Sequence, residues 1–492
     1  MWKNILIVVL ASLLVITWFQ SRSSARLSTR LSPTPTGALM PTIAKPSPYS
    51  ELEQVMAAMQ VEDGFTAASL GLVVFADEEE PVFSYRGNEA MTPASTLKAV
   101  TSATAMAMLG PEHRFTTTLT ASAPWKLDAE GAYDGDLVIL GGGDPIFTSV
   151  TLAKWAGELK AKGLKTVKGR VVTDAAYFPE QMIPNAWDWG DVSNYYGAGP
   201  CGFNLDFNRF DVSFSPAETV GLPGTIAEMT PPLPWLSRAN FTLTAETESD
   251  GWLSVYGGPY AAALTFRGRV PLGDELVSAQ GAIPDPAYHG AESFKSLLEL
   301  EGIDVVGEST TRRRLATGNG ADLPEATHVL LAHPSASLQE IVRYLHRTSD
   351  NMVTECLFQE LTKADSLNRS GSEIIKRYWE KQGVPFYGLR MEDGSGLARA
   401  DDIRPVDLAK VLWLVGRSTF GDVFKGTLNA YHNGRLRWKG GAMSRVRAYT
   451  GYSDNGYTFA LMINHYEASA DRLANWRRRI MESVMALPSV SE

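Results

Sequence analysis

Met91-Thr92-Pro93-Ala94-Ser95-Thr96-Leu97-Lys98 is the stretch from which the rest of the chain is read. Thr92 suits an N-cap, Pro93 suits the first helical position, and the alanine-rich run 94–109 continues until Gly110-Pro111 stops it, so the spacing predicts a helix that opens at the serine. Residues i and i+3 share a helical face, which brings the Lys98 amine beside the Ser95 hydroxyl. A lysine whose pKa is depressed by burial or by a neighbouring cation can accept that proton and leave the oxygen a nucleophile. The bland alternative is a capped core helix carrying a solvated lysine. It is the one S-x-x-K match in the chain, and its surroundings decide between the two.

A chain of 492 residues is too long for one ordinary core, so two or three domains are expected. Its hydrophobic content of 44% and charged content of 20% are those of a globular protein, and a net charge of -10 argues against a nucleic-acid partner. The seven histidines are scattered, without H-E-x-x-H or C-x-x-C, so no metal site is expected. Cys201 and Cys356 are too few for a disulfide scaffold, and whether they are bridged is left open.

Lys3 precedes an apolar run over residues 5–19, short for a membrane span but right for a secretory signal. Residues 1–25 are therefore expected to be a signal peptide or a membrane anchor. Cleavage after the small residues Ser23 and Ala25 is favoured, and the arginines at 22, 26 and 30 keep an anchor open. Residues 26–49 are a linker rich in Pro, Ser and Thr. A helix over 51–59 and strands over 65–75 and 82–85 lead into the Ser95 helix. Far along the chain, 436–443, 446–452 and 457–466 read as strands before a closing helix over 470–485. Three late strands and two early ones can complete one antiparallel sheet flanked by helices, an α+β fold. The chain then divides into a catalytic domain split between 50–112 and 303–492, with 113–302 inserted as one or more strand-rich domains. Within the insertion, Trp187, Trp189, Tyr195 and Tyr196 accompany Asp188 and Asp191, either lining a groove or packing between modules.

A serine activated by a lysine needs polar groups to relay its proton, and a cation with backbone donors for an anionic substrate and the developing oxyanion. S-x-N occurs at Ser349, Ser366 and Ser453. Ser349 and Asn351 fall at a junction of two helices, where side chains can converge on a cleft, whereas Ser453 falls in the Asp454-Asn455-Gly456 turn of a hairpin. Lys439-Gly440-Gly441 lies on a strand.

In this order the three motifs resemble those of the penicillin-recognising serine enzymes, S-x-x-K, S-D-N and K-T-G. The long interval between the first two resembles the class C low-molecular-mass penicillin-binding proteins, of the D-alanyl-D-alanine carboxypeptidase/endopeptidase type. The likeness spans nearly all of 50–488, including Gly142-Gly143-Asp144-Pro145, Asp393-Gly394-Ser395-Gly396-Leu397 and Thr450-Gly451-Tyr452. It implies a transpeptidase-like, β-lactamase-like domain and an acyl-enzyme on Ser95, with Lys98 as general base. Ser349 and Asn351 would be the relay pair, Lys439 the substrate-binding cation, and the backbone N–H groups of Ser95 and Ala442, beside Gly441, the oxyanion hole. Asp191 and Arg399 match positions near the diamino-acid part of a stem peptide.

The resemblance further implies no cofactor, with peptidoglycan stem peptides and β-lactams as partners. The expected location is periplasmic or at the cell envelope, with membrane association through the amino-terminal segment as the alternative to release. The expected activity is that of a serine D-Ala-D-Ala carboxypeptidase, with D,D-endopeptidase activity left open. One departure stands out, because Gly440 replaces the hydroxyl residue of the third motif. It raises the rival expectation of a peptidoglycan-binding scaffold with weakened catalysis.

Overall fold

A computed structural model describes residues 47–318, 328–367 and 369–490. The expected signal or anchor and nearly all of the linker lie outside the described residues. Among the described residues, one antiparallel sheet has the spatial order Asn429–Tyr431, Leu436–Met443, Val446–Ser453, Thr458–Asn464, Ser69–Phe75, Phe83–Tyr85. The early strand Ser69–Phe75 runs along Thr458–Asn464, with Leu72 opposite Leu461, and so joins the two ends of the chain.

Alternation of side chains across this sheet builds two cores. Leu70, Leu72 and Val74 point to one face, where they pack with Met56 of helix Ser50–Val61 and with Trp476 and Ile480 of helix Ala470–Met485. Val73 and Phe75 point to the other face, against Leu97, Val100, Leu408 and Leu412. Each fully buried aliphatic side chain there contributes about 1.5–3 kcal/mol.

Helix Leu97–Leu109 is buried on every side from Leu97 to Met106, so it must be slim, and Ala99, Ala103 and Ala105 make it so. Its hydroxyls find partners within the core. Thr101 Oγ1 donates to Gly394 O at 2.6 Å, Thr104 Oγ1 accepts from Trp379 Nε1 at 2.9 Å, and Ser102 Oγ lies 3.0 Å from His346 Nε2. The start of this helix differs from the sequence expectation. Ala94–Thr96 forms a 3₁₀ turn, the α-helix begins at Leu97, and Thr92 does not cap it. Ala94 adopts φ +46°, and Thr96 Oγ1 turns back to donate to Pro93 O at 2.7 Å. Ser95 thus sits in the 3₁₀ turn and Lys98 in the first turn of the α-helix that follows it.

The chain between the first and second motifs builds two further cores. In the first, strands are ordered Thr310–Thr311, Val171–Asp174, Leu137–Leu140, Thr116–Ala121, His328–Pro334, and helices Ser149–Ala161 and Pro286–Leu300 pack on them through Trp155 and Phe294. In the second, two three-stranded sheets share a core of Phe210, Phe214, Leu264 and Phe266. Strand His328–Pro334 pairs with Thr116–Ala121, a partner more than 200 positions earlier that no local pattern reveals. This pairing runs across the boundary expected at 302 and ties 328–334 to the sheet that contains Thr116–Ala121. Cys201 and Cys356 are free, buried thiols, and Asn204 Nδ2 donates to Cys356 Sγ at 3.5 Å.

Candidate active site

An open cleft of about 620 Å³ lies between the six-stranded sheet, the helical layer and the segment 191–209 of the insertion. Ser95, Ser349, Asn351, Gly440, Gly441 and Ala442 line it, as do Asp191, Tyr195, Tyr196, Arg209 and Arg399. The candidate catalytic and substrate-binding residues named from the sequence therefore converge on one place, with Lys98 and Lys439 reaching it from beneath through Ser95 and Ser349.

Lys98 is fully buried. Its Nζ donates to Ser95 Oγ at 2.9 Å, to Asn351 Oδ1 at 2.6 Å and to the Ser395 carbonyl at 2.7 Å. Burial pushes its pKa down to about 8, against the opposing pull of Asp393, Glu355, Asp350 and Asp401. The free amine thus becomes a major form at mildly alkaline pH, when one of these three donations gives way to acceptance from Ser95.

Ser349 and Asn351 owe their places to a helix–helix corner. Ser349 closes helix Leu338–Thr348 in the left-handed conformation at φ +60°, and Asp350 caps helix Asn351–Ala364 by accepting from Val353 N at 3.1 Å. Asp350 Oδ2 also accepts from Arg209 Nη2 at 2.6 Å, and Asn351 Nδ2 donates to Tyr196 O at 2.7 Å, so the insertion braces the corner. The second S-D-N copy is elsewhere. Ser453 Oγ accepts from Tyr457 N, and Asn455 Nδ2 donates to Val484 O and Leu487 O, which closes the hairpin against the last helix. Of the third copy, Asn368 lies outside the described residues.

Lys439 is also buried, and its Nζ donates to Ser349 Oγ at 2.8 Å and to Gly440 O at 2.7 Å. Burial and the neighbouring Lys98 push its pKa well below the ordinary lysine range. Each buried amine disfavours charge on the other, and an incoming carboxylate offsets that effect.

The two glycines after Lys439 differ. A Cβ on Gly441 would lie 2.7 Å from Pro93 O and 2.9 Å from both Ser95 N and Thr96 N, so only glycine lets the strand touch the nucleophile turn. A Cβ on Gly440 would meet nothing nearer than the Tyr449 ring at 3.8 Å, so that position is open. Arg399 Nε donates to Asp188 Oδ2 at 2.7 Å, and both side chains are half exposed, a pair of small net energy that a ligand carboxylate can open. Asp191 accepts from Tyr196 Oη at 3.1 Å. Tyr195 and Tyr196 line the cleft, Trp189 is exposed, and Trp187 is buried against the catalytic body, so the aromatics of this segment divide between groove and packing.

Sequence reasoning assigned no role to the groups behind Lys98. Asp393 and Glu355 are buried there, with Glu355 pushed up to about 8 by burial and by Asp393, and Asp401 pushed up to about 10 by the same two causes. The Asp-Gly-Ser-Gly run was a visible signal, but a carboxylate that folds back into its own loop cannot be told from a surface turn by sequence.

Comparison with known proteins bears on this geometry. The model of the D-Ala-D-Ala carboxypeptidase 3 (S13) family matches residues 52–483. A D-alanyl-D-alanine carboxypeptidase of Actinomadura sp. is 27% identical over 392 residues, covering 77% of this chain and 70% of the relative. The D-alanyl-D-alanine carboxypeptidase DacB of Haemophilus influenzae is 23% identical over 364 residues, 70% of each chain. The crystal structure of penicillin binding protein 4 from Haemophilus influenzae superposes with a TM-score of 0.76 at 20% identity, covering 88% of this chain and 99% of that one. The present chain shares that fold.

Proposed function

Because the chain belongs to the D-Ala-D-Ala carboxypeptidase 3 (S13) family, we propose a division of labour among the residues of its cleft. The enzyme is a serine-type D-Ala-D-Ala carboxypeptidase. Ser95 Oγ attacks the carbonyl of the penultimate D-alanine while Lys98, as free amine, takes its proton. A C–O bond forms, and the oxyanion is held by the backbone N–H groups of Ser95 and Ala442. Collapse breaks the C–N bond, and the leaving amine of the terminal D-alanine takes its proton through Ser349, which Lys439 orients. Lys439 holds the terminal carboxylate. Water then hydrolyses the ester on Ser95.

We assign Asp191 and Arg399, which line the same cleft, to the diamino-acid part of a peptidoglycan stem peptide. Export to the periplasm or cell envelope, with the segment 1–25 cleaved or kept as an anchor, completes the proposal. The supporting observation is the pair of short contacts that meet at the cleft floor, Lys98 to Ser95 at 2.9 Å and Lys439 to Ser349 at 2.8 Å. The rival scaffold reading rested on the hydroxyl missing at Gly440 and is not favoured, since Ser95, Lys98, Ser349, Asn351 and Lys439 are all present and joined by hydrogen bonds.

Intact mass after incubation with a penicillin tests the assignment. Wild type should gain one covalent adduct and Ser95→Ala none, and an unmodified wild-type mass would sink it. A paired test separates the two S-D-N copies. Ser349→Ala should lower turnover of a D-Ala-D-Ala peptide at least a hundredfold, roughly the scale of losing a proton relay. Ser453→Ala should stay near wild type, and the reverse ranking would mean that the relay is wrongly assigned.

Gly440→Thr should fit, with its nearest neighbour at 3.8 Å. A regained charge-assisted hydrogen bond of roughly 1.5 kcal/mol corresponds to about a tenfold rise in kcat/KM for substrates ending in a free carboxylate. Internal cross-links, which lack that carboxylate, should gain less. An unchanged ratio of the two activities would show that the missing hydroxyl is not a lost carboxylate contact.

A further inference from the structure

The loop 393–398 forms the back wall of the nucleophile turn. Gly396, at φ +75°, brings its backbone so near Ala94 O that a Cβ would lie 2.0 Å away, and the Ser395 carbonyl accepts from Lys98 at 2.7 Å. Thr101 and Glu355 hold Gly394 from outside the loop, and one side chain within the loop gathers the turn 395–398. The Asp393 carboxylate, fully buried, accepts from Ser395 N (3.1 Å), Gly396 N (2.6 Å), Leu397 N (2.9 Å), Ala398 N (3.0 Å) and Ser395 Oγ (3.0 Å). Those donors belong to the loop itself. A further donor does not: Trp187 Nε1, in the inserted segment, donates to Asp393 Oδ2 at 2.7 Å. The same segment holds Asn351 through Tyr196 O and Arg399 through Asp188.

We propose that Trp187 is a positioning residue for the lysine of the active site: its indole N–H fixes the Asp393 carboxylate, which holds the Ser395 carbonyl against Lys98 and thereby links docking of the inserted segment to the competence of the base. The inference rests on the reading of Lys98 as general base. It adds that the base is aligned from outside its own domain. Lys98 is faced by Asp393, Glu355, Asp350 and Asp401, and by Lys439 and His346. Of these carboxyl groups, Asp393 exerts the largest opposing electrostatic pull on the Lys98 ammonium, ahead of Glu355, Asp350 and Asp401. Each N–H aimed at Asp393 offsets part of its charge. Removing the indole donor strengthens the pull of that carboxylate on the Lys98 proton and loosens the carbonyl that orients the amine.

The test is the pH profile of acylation by a penicillin, from pH 6 to 10, with the full-length protein. Trp187→Phe keeps the apolar ring and deletes the donor. Its rising limb should move to higher pH by about half a unit, so that the rate near pH 7 falls about threefold or more, with a smaller deficit at pH 9 and an unchanged saturation constant. Should Trp187→Phe not fold, benzothienylalanine at position 187, which replaces only the N–H by sulfur, must show the same displacement. A merely structural role would lower the rate equally at all pH values, and either that result or a limb superimposing on wild type overturns the inference. Failure of the underlying reading looks different, because wild type would then take no adduct on Ser95, or Lys98→Ala would acylate as fast as wild type.

Discussion

Lys98→Ala should acylate Ser95 between about a hundred and ten thousand times more slowly than wild type, the scale on which a positioned general base acts. The nucleophile, the oxyanion donors and Lys439 all remain, so binding should persist and the loss should fall on the chemical step rather than on the saturation constant. Wild type supplies the control through pH. A base acts only when unprotonated, and burial holds Lys98 near 8. The acylation rate should therefore rise about tenfold per pH unit below 8 and level off above about 9. The variant should lack this limb. Removing a buried amine leaves Asn351 Oδ1 and the Ser395 carbonyl without their donor, at about 1–3 kcal/mol for each unsatisfied group, while it also removes a buried charge. Thermal unfolding must accordingly be measured beside the kinetics. Equal rates, or a limb that survives in Lys98→Ala, would exclude Lys98 as the base.

Gly441→Ala is the second large effect. The added methyl would fall 2.7 Å from Pro93 O and 2.9 Å from Ser95 N and Thr96 N, all backbone atoms that no rotamer change can move aside. Strand Leu436–Met443 or the turn Ala94–Thr96 must shift, and either shift separates Ala442 N from Ser95 N, the pair assigned to the oxyanion. Losing one oxyanion donor costs about a hundred- to a thousandfold in rate. Overpacking should cost about 1–3 kcal/mol in stability as well. Gly440→Ala adds the same methyl one residue earlier, where the nearest atom is 3.8 Å away, and should acylate within a few-fold of wild type. Rates measured for the two variants side by side decide the matter. If Gly441→Ala stays within about threefold of wild type, the turn is softer than its contacts imply and the oxyanion assignment falls with it.

What the sequence determined by itself was whatever short-range physics controls. Alternating and helical periodicities gave the strands and helices at both ends of the chain, the closing helix Ala470–Met485 among them, and showed that early and late strands could share a sheet. The three-residue step from Ser95 to Lys98 survives the exchange of an α-turn for a 3₁₀ turn, because both put i and i+3 on one side. The order of the three motifs, with their helix-junction and hairpin contexts, marked the residues that meet in the cleft.

Tertiary structure alone decided the rest, wherever the partner is distant in sequence. Lys98 is set by Asn351 and Ser395, and Asp393 is tied to Trp187, across gaps of 253, 297 and 206 residues. A hydrogen bond or a desolvation cost of this kind depends on which surfaces the whole chain brings together, and no local propensity encodes it. The same holds for strand His328–Pro334, whose partner lies more than 200 residues earlier, and for Arg399, which meets Asp188 in the folded chain. Gly440 and Gly441 are identical in sequence and opposite in consequence, because only one of them faces the backbone of the nucleophile turn.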